Sequence, residues 1–216
     1  MKKSELIILL IILLSFAVGI YLYPQMPEKM ASHWNINGEV DGYTPKFWGL
    51  FLMPFVLIGF FLLFILIPKI DPFKANFEKF RKYFDAFMVF LILFFFYLHF
   101  LTLFWNLGFR FNFSQFLSPA FGMLLYCSGF LMEKTKRNWF IGIKTPWTIS
   151  NEKVWDKTHQ VGGKLFKISG GVALLGILFQ DYAIFFTVIP VALVSLYLCV
   201  YSYFEYQEET SLPKNL

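Results

Sequence analysis

Residues 48–67 read WGLFLMPFVLIGFFLLFILI, and this run of twenty contains no charged side chain. A helix needs about twenty mainly apolar residues to cross the roughly 30 Å hydrocarbon core of a bilayer. Because that core holds no water to pair with an exposed backbone N–H or C=O, the crossing segment must be a helix or a strand of a closed barrel. Polarity does not alternate along the run, which excludes a barrel strand. The run therefore predicts a transmembrane helix that Pro68 closes.

The same pattern recurs five times elsewhere in the chain. The other runs are Leu6–Tyr23, Tyr83–Trp105, Gln115–Met132, Leu165–Phe179 and Tyr182–Phe204. The run at 165–179 is the shortest and contains Lys167, and Gln180 and Asp181 must turn the chain into the last run. We therefore predict an all-α integral membrane protein with six transmembrane helices.

The composition is not that of a soluble protein. Hydrophobic residues make up 57% of the chain and charged residues 15%, whereas a soluble domain carries about 25% charged residues. The predicted spans leave little room for a soluble domain, and no Ser or Cys lies in a nucleophile-elbow motif. The sequence predicts a protein that is not an enzyme, with no catalytic residue, cofactor or metal.

Positive charge is concentrated in alternate connections. If the N-terminus is cytoplasmic, fifteen of the 19 Lys and Arg residues fall in segments 1–5, 68–82, 133–164 and 205–216. Lys29, Lys46 and Arg110 then lie outside, and Lys167 can extend its amine toward the inner side. Cytoplasmic connections carry the excess of Lys and Arg in membrane proteins. The pattern predicts an N-in/C-in topology, and it accounts for the net charge of +5 without a nucleic-acid surface.

Two connections are too structured to be simple links. Residues 24–46 are predicted to form a compact cap on the outer surface, and residues 133–164 an inner segment with an interfacial loop and helix. We therefore divide the chain into an N-terminal two-span module over 1–67 and a four-span domain over 68–216.

The outer cap contains turn chemistry and one histidine. Asn and Gly tolerate positive φ, and Asp bonds to its own backbone, so residues 35–42 predict turns. Pro27 suits the first position of a helix, which predicts a helical turn over Pro27–Ser32. Three interpretations of His33 stay open: a hydrogen bond that fixes the cap, contact with an external ligand, or a metal site shared with nearby carboxylates. The cap residues considered as a ligand site are His33, Trp34, Asn35, Asn37, Gly38 and Asp41.

The inner segment reads as an aromatic loop followed by a helix. Ser150 or Asn151 can cap that helix, with Glu152 favoured in its first turn. Trp155, His159, Gly162 and Phe166 share one helical face, which is predicted to lie on the inner interface. The pairs Gly162-Gly163 and Gly170-Gly171 would let another helix approach closely. Before the helix, the loop over 138–148 either anchors spans in the interface or presents a surface to a cytoplasmic partner.

One histidine lies inside a predicted span. His99 falls toward the outer side of the third run. An ionisable residue within the membrane is a functional hypothesis by default. The other interpretation is a neutral His that bonds to a neighbouring helix.

The inner segment closely resembles the signature of the SdpI-type immunity proteins. The resemblance rests on a run that reads NWFIGIKTPWT over residues 138–148 and on a second group in the helix that follows. Where members of that family show Arg before the Thr-Pro, this chain has Lys144, which keeps the charge but loses a bidentate fork. The inner residues considered as a partner or relay site are Asn138, Gly142, Lys144, Thr145, Pro146, Trp147, Trp155, His159, Gly162 and Gly163.

The outer cap is similar to the uncharacterised module that often precedes this signature. The residues that carry this second resemblance are Pro27, His33, Trp34, Asn35, Asn37, Gly38, Glu39, Asp41 and Tyr43 with Pro54. With the six spans, the two resemblances cover nearly the whole chain.

The resemblance implies a role in protection, and no catalysis. It implies a protein of the bacterial cytoplasmic membrane that gives immunity to a secreted toxic peptide on the outer side. It also implies a receptor role, in which the inner face binds a cytoplasmic transcriptional repressor while membrane lipid surrounds the spans. Two alternatives stay open: a transporter or permease for a small molecule or lipid, and a membrane-embedded enzyme that uses His33 or His159.

Overall fold

A computed structural model describes residues 2–35, 38–179 and 182–211. The helices are α1 (Lys3–Leu22), α2 (Lys46–Ile70), α3 (Lys74–Asn106), α4 (Phe113–Met132), α5 (Pro146–Ser150), α6 (Glu152–Ala173) and α7 (Ala183–Ser211). Strands β1 (Lys29–Trp34) and β2 (Val40–Pro45) form an antiparallel hairpin between α1 and α2. Short 3-10 turns follow α1 and α6, at Tyr23–Gln25 and Leu174–Ile177.

Five helices, α1 to α4 and α7, are long and apolar enough to cross a membrane. The helical membrane architecture is thus confirmed, with the hairpin as an addition to it. The predicted fifth span, 165–179, is not one of these five. Its residues form the second half of α6 and the 3-10 turn, and the first half of α6 is polar, beginning Glu152-Lys153. The predicted turn at Gln180-Asp181 lies outside the described residues.

Helix α6 nevertheless lies along the whole of α4. Gly163 meets Gly129 and Gly170 meets Gly122, so closely that a Cβ on any of the four would overlap the opposite backbone. Near the other end of α4, the Ser118 hydroxyl donates to the Ala173 carbonyl over 2.5 Å. The pairing confirms the close approach expected of Gly163 and Gly170, and it makes the two helices antiparallel neighbours.

The first three helices share an apolar core that is built from one face of each. Ile8 and Ile12 of α1 pack with Leu57 of α2 and with Phe84 and Ile92 of α3. At the start of α1 the Lys2 amine lies 3.4 Å from the Asp85 carboxylate, which also accepts from Arg81 over 2.5 Å. This ion pair joins the start of α1 to the N-terminal half of α3.

The helical turn expected over Pro27–Ser32 is wrong, because most of that stretch belongs to β1. Strand β1 pairs with β2 from Lys29 opposite Pro45 to Trp34 opposite Val40. Its other edge meets α3, where the Asn106 side chain accepts from the Ala31 N–H (2.8 Å) and donates to the Ala31 carbonyl (3.0 Å). The amide thus pairs with β1 as a neighbouring strand would, and this tertiary contact overrides the local helical preference of Pro27.

Candidate functional site

The hairpin brings His33 and Asp41 of the outer motif together across its two strands. His33 Nδ1 donates to Asp41 Oδ1 over 2.5 Å across the two strands, and both side chains are largely exposed. This bond joins β1 to β2, as the first of the three interpretations of His33 expects. Among the residues that the structure describes, no three His, Cys, Asp or Glu side chains converge on a possible metal site.

The hairpin loop is held by its own polar atoms. The Asn35 side chain accepts from the Glu39 N–H over 3.0 Å and donates to the Glu39 carboxylate over 3.0 Å. Gly38 has a φ of +78°, and a Cβ there would press on the Asn112 amide. Asn37, which the sequence singles out, lies outside the described residues.

Trp34 anchors the end of β1 on the helices. Its ring stacks on Phe113 of α4 with centroids 3.9 Å apart, and its edge meets Trp105 of α3. Its indole Nε1 is buried and has no hydrogen-bond partner among the described residues. A buried N–H without an acceptor carries a desolvation penalty.

A cavity of about 550 Å³ lies beneath this end of the hairpin. Ser32, His33, Trp34 and Asn35 form one side of it. The apolar part of its wall comes from four helices and consists of Met53, Leu98, Phe113, Leu117, Phe121 and Ile184. The sequence identifies the hairpin residues, but no pattern in it joins them to Leu117 or Ile184, because those contacts exist only after the helices pack.

The inner motif folds around Asn138, which is fully buried. Its Oδ1 accepts from the N–H groups of Phe140 (2.9 Å) and Ile141 (2.6 Å), and its Nδ2 donates to the carbonyls of Lys136 and Ile141. One side chain therefore shapes the whole turn. We call residues 133–145 the motif loop.

Gly142 and His159 meet at the centre of the motif loop. Gly142 has a φ of +117°, and a Cβ there would overlap His159 Nε2. That nitrogen accepts from the Ile143 N–H over 2.8 Å, and Nδ1 donates to the Trp155 carbonyl over 2.8 Å. The bonds fix a neutral imidazole with its proton on Nδ1, and burial lowers the pKa of His159 to about 4.

Trp155 and His159 do not lie on the membrane interface as expected. Both side chains are buried, their rings stack with centroids 3.9 Å apart, and the motif loop covers them. The Trp155 indole donates to the Thr135 carbonyl over 3.3 Å. Trp155 and His159 thus share one helical face as predicted, but this face packs against the motif loop instead of the membrane interface.

The Lys-Thr-Pro-Trp stretch ties the motif loop to α7. Thr145 caps α5, accepting from the Thr148 N–H, and its hydroxyl lies 3.0 Å from that of Ser202 on α7. Trp147 packs edge-on against Tyr203. Lys144 donates to the carbonyls of Trp139 and Phe140 within its own loop, while Pro146 is exposed.

The two glycines that follow are both closely packed. Gly162 fits against Ile143 and Leu198, so it joins the motif loop to α7. Gly163 faces Gly129 and the Glu133 side chain. At the start of α6, Asn151 rather than Ser150 is the cap, accepting from the N–H groups of Lys153 and Val154.

Sequence reasoning missed Asp71 as part of this site. Asp71 is fully buried between α2 and α3, and its carboxylate accepts from the Phe73 N–H (2.7 Å) and the Trp139 N–H (3.0 Å). It therefore holds the motif loop against the N-terminal module. The available signal was an acidic residue directly before Pro72, one of two acidic residues in the basic connection 68–82.

His99 lies on α3, within the bundle of the first three helices. It is buried, and its Nε2 has no partner in the described part of the chain, so the expected bond to a neighbouring helix is absent for that atom. Ser15 on α1 is likewise buried and unpartnered. From the Lys2–Asp85 pair, thirteen residues of helical rise bring Ser15 level with residue 98, so the two polar groups lie at about the same depth.

Comparison with known proteins agrees with this geometry. Residues 134–202, which span the motif loop, α5, α6 and the facing part of α7, match the model of the SdpI/YfhL protein family. The chain carries an SdpI/YfhL domain. Residues 10–58 match a domain of unknown function, DUF1648, so both resemblances drawn from the sequence are confirmed. The SdpI/YfhL domain ends at the very helix that Thr145 and Trp147 contact.

A full-length relative extends the match to both modules. The chain is 27% identical over 207 residues to the immunity protein SdpI of Bacillus subtilis strain 168, covering 95% of this chain and 97% of the relative. No solved structure matches this chain. With its five apolar helices, this SdpI/YfhL-domain chain is a multi-pass protein of the cell membrane.

Proposed function

We propose that this chain is a membrane immunity protein that protects its cell from a secreted toxic peptide, received at the hairpin. The cavity beneath His33–Asn35 carries the proposal, because it joins the outer motif to a wall of apolar side chains. The similarity to an immunity protein along nearly the whole chain supports the same role.

The chemistry of the cavity suits an apolar segment of a peptide. Its volume of about 550 Å³ lies in the range of ligand pockets, which combine apolar walls with a few polar groups. Leu117 and Phe121 would contact apolar side chains, and Ser32 and Asn35 would contact the peptide backbone. A small-molecule permease needs a polar path instead, and the only polar side chains that the helices add to this cavity in the described part of the chain are Thr102 and Ser114.

We also propose six crossings with both termini inside. The distribution of Lys and Arg supports that orientation. The pairing of α6 with α4 supports the sixth crossing, because the second half of α6 lies beside a helix that is itself long and apolar enough to span. The hairpin is then outside and the motif loop inside.

The immunity proposal is tested by filling the cavity. Leu117→Trp places a larger side chain in the wall and should abolish protection of a sensitive strain, measured with a membrane-potential dye after challenge with the peptide that the Bacillus subtilis relative resists. Leu196→Trp is the matched control, since Leu196 is exposed on α7. The proposal would be refuted if wild-type protein, present in the membrane at normal levels, protected neither against that peptide nor against the peptides that its own source cell secretes.

The motif loop supports a second step, a relay to a cytoplasmic repressor. Trp139 and Phe140 of the motif loop are exposed, and exposed aromatic side chains are typical anchors of an interface. Trp139→Ala with Phe140→Ala should leave protection intact and abolish recruitment of the repressor to membranes, measured by fractionation of a tagged repressor with and without toxin. A repressor that still moves to the membrane with this variant would contradict the relay.

A further inference from the structure

A groove follows the seam between α3 and α4. Two cavities of about 170 and 300 Å³ lie on this seam and share Phe90 as a wall. The smaller begins at Tyr83 and the larger reaches Tyr97. These tyrosines are fourteen positions apart, which is a rise of about 21 Å along α3, so the two cavities follow one another along the seam.

The walls of the groove are apolar and open sideways. The lining residues that define them are Ala86, Phe87, Leu93, Met123, Tyr126 and Phe130. Leu93, Met123, Tyr126 and Phe130 are exposed although they are large and hydrophobic. Both α3 and α4 are long and apolar enough to cross the membrane, so this side of the seam faces the acyl chains of lipid.

Two lysines stand at one end of the groove. The Lys82 amine lies 4.8 Å from the centre of the Tyr83 ring, and the Lys134 amine lies 5.9 Å from the same ring. Lys134 is also 5.9 Å from the ring of Phe130, which meets Tyr83 edge-on. Helix α3 therefore brings one cation and the end of α4 the other to the same aromatic wall.

The acidic residues near this end are already paired. Glu78 and Asp85 both interact with Arg81, and the Glu133 carboxylate lies 2.6 Å from the Lys167 amine. Within the described ranges, neither Lys82 nor Lys134 forms an ion pair, and both are exposed. Two cations without an ion-pair partner, both beside the Tyr83 ring at the end of an apolar groove, complement an anion that carries an apolar tail.

We propose that the groove binds an anionic phospholipid, with its phosphate between Lys82 and Lys134 and one acyl chain along Phe87 and Phe90. Basic pockets between helices at the membrane surface are typical headgroup sites. The groove, about 21 Å long from Tyr83 to Tyr97, is longer than the roughly 15 Å that half a hydrocarbon core occupies. It therefore accommodates an acyl chain from one leaflet. Inorganic phosphate would leave the apolar walls unfilled, which favours the lipid.

The test is native mass spectrometry of the full-length protein in detergent with added dioleoylphosphatidylglycerol or dioleoylphosphatidylcholine. Wild-type protein should retain the anionic lipid preferentially. Lys82→Gln with Lys134→Gln should weaken its retention roughly fivefold per lysine, while Lys82→Arg with Lys134→Arg should preserve it. Lys69→Gln with Lys74→Gln is the matched control, since it removes the same charge from exposed lysines at the α2–α3 connection and should change nothing.

A second variant tests the acyl chain separately from the headgroup. Ala86 lines the smaller cavity, and Ala86→Phe should fill it and reduce retention of both lipids. Equal retention of the two lipids by wild-type protein would overturn the proposal. So would an equal loss in the Lys69/Lys74 control, or unchanged lipid binding by Ala86→Phe with an unchanged midpoint of thermal unfolding. Addition of inorganic phosphate should not displace the lipid, and displacement would show that a free anion site exists instead.

Discussion

Gly142 and His159 show how single residues determine the shape of the motif loop. A positive φ at Gly142 lets the chain turn toward His159, whose Nε2 then accepts the next N–H. No other residue type satisfies both demands, because an L side chain is strained at that φ and its Cβ would occupy the place of the imidazole. The loop therefore depends on a glycine and a neutral histidine that lie seventeen residues apart in sequence.

Replacement of Gly142 by alanine should destabilise the protein more than the same change at Gly108. Both glycines have positive φ, +117° and +104°, but nothing lies within 4 Å of a Cβ at Gly108. Gly108→Ala therefore carries only backbone strain, about 1–3 kcal/mol, and Gly142→Ala adds the overlap with His159. Thermal unfolding in detergent measures the difference. Equal midpoints for the two variants would show that the imidazole moves aside freely.

The motif loop should weaken in acid. Burial lowers the pKa of His159 from 6.5 to about 4, so the unfolded state binds the proton first and stability falls as pH drops from about 6.5 to 4. His159→Gln, which cannot ionise, should show a smaller loss of thermal midpoint across this window. A wild-type protein and variant with parallel pH profiles would contradict the assignment of a neutral imidazole.

At the scale of the elements, the α4–α6 seam joins α4 to the segment that matches the SdpI/YfhL family. Gly129, Gly163, Gly122 and Gly170 bring the two backbones together, and no side chain can enter between them. In a membrane, such contact replaces the hydrophobic driving force that is absent between helices in lipid. Polar groups support it at one end, where Lys167 of α6 pairs with Glu133.

Two glycines of α6, Gly163 and Gly171, provide a matched pair for this seam. A Cβ at Gly163 would overlap Glu133 and the Gly129 carbonyl, whereas a Cβ at Gly171 meets nothing within 4 Å. Gly163→Ala should lower the thermal midpoint. Gly171→Ala should leave the midpoint unchanged or raise it, because alanine is favoured over glycine in a helix by up to about 1 kcal/mol. A Gly163→Ala protein as stable as wild type would show that the helices separate without cost.

At the scale of the whole molecule, α3 connects the two candidate faces. Its C-terminal end holds the hairpin through Asn106, and at its N-terminal end Asn76 donates to the Arg137 carbonyl of the motif loop over 3.1 Å. The two asparagines are thirty positions apart, which is a rise of about 45 Å along the helix and more than the hydrocarbon core requires. The hairpin and the motif loop therefore belong to opposite ends of the protein.

Site-specific labelling of intact cells tests this arrangement. A cysteine at Tyr43 of the hairpin should react with an impermeant maleimide, and a cysteine at Trp139 should react only after the cells are opened. Both positions are exposed, so access rather than burial determines the result. Reaction of both from the outside would overturn the proposed topology and the relay with it.

The sequence by itself determined the membrane class, five of the spans, the two segments outside them and the family resemblance. These follow from runs of apolar residues and from a local motif, which act over distances of a few helical turns. Only the tertiary structure decided that Pro27–Ser32 is largely strand, that Gly170 meets α4 and that Trp155 and His159 lie under a loop. Each of these depends on a partner far along the chain, namely Asn106, Gly122 and Gly142. Local pattern cannot encode such partners, because packing energies arise between residues that sequence keeps apart.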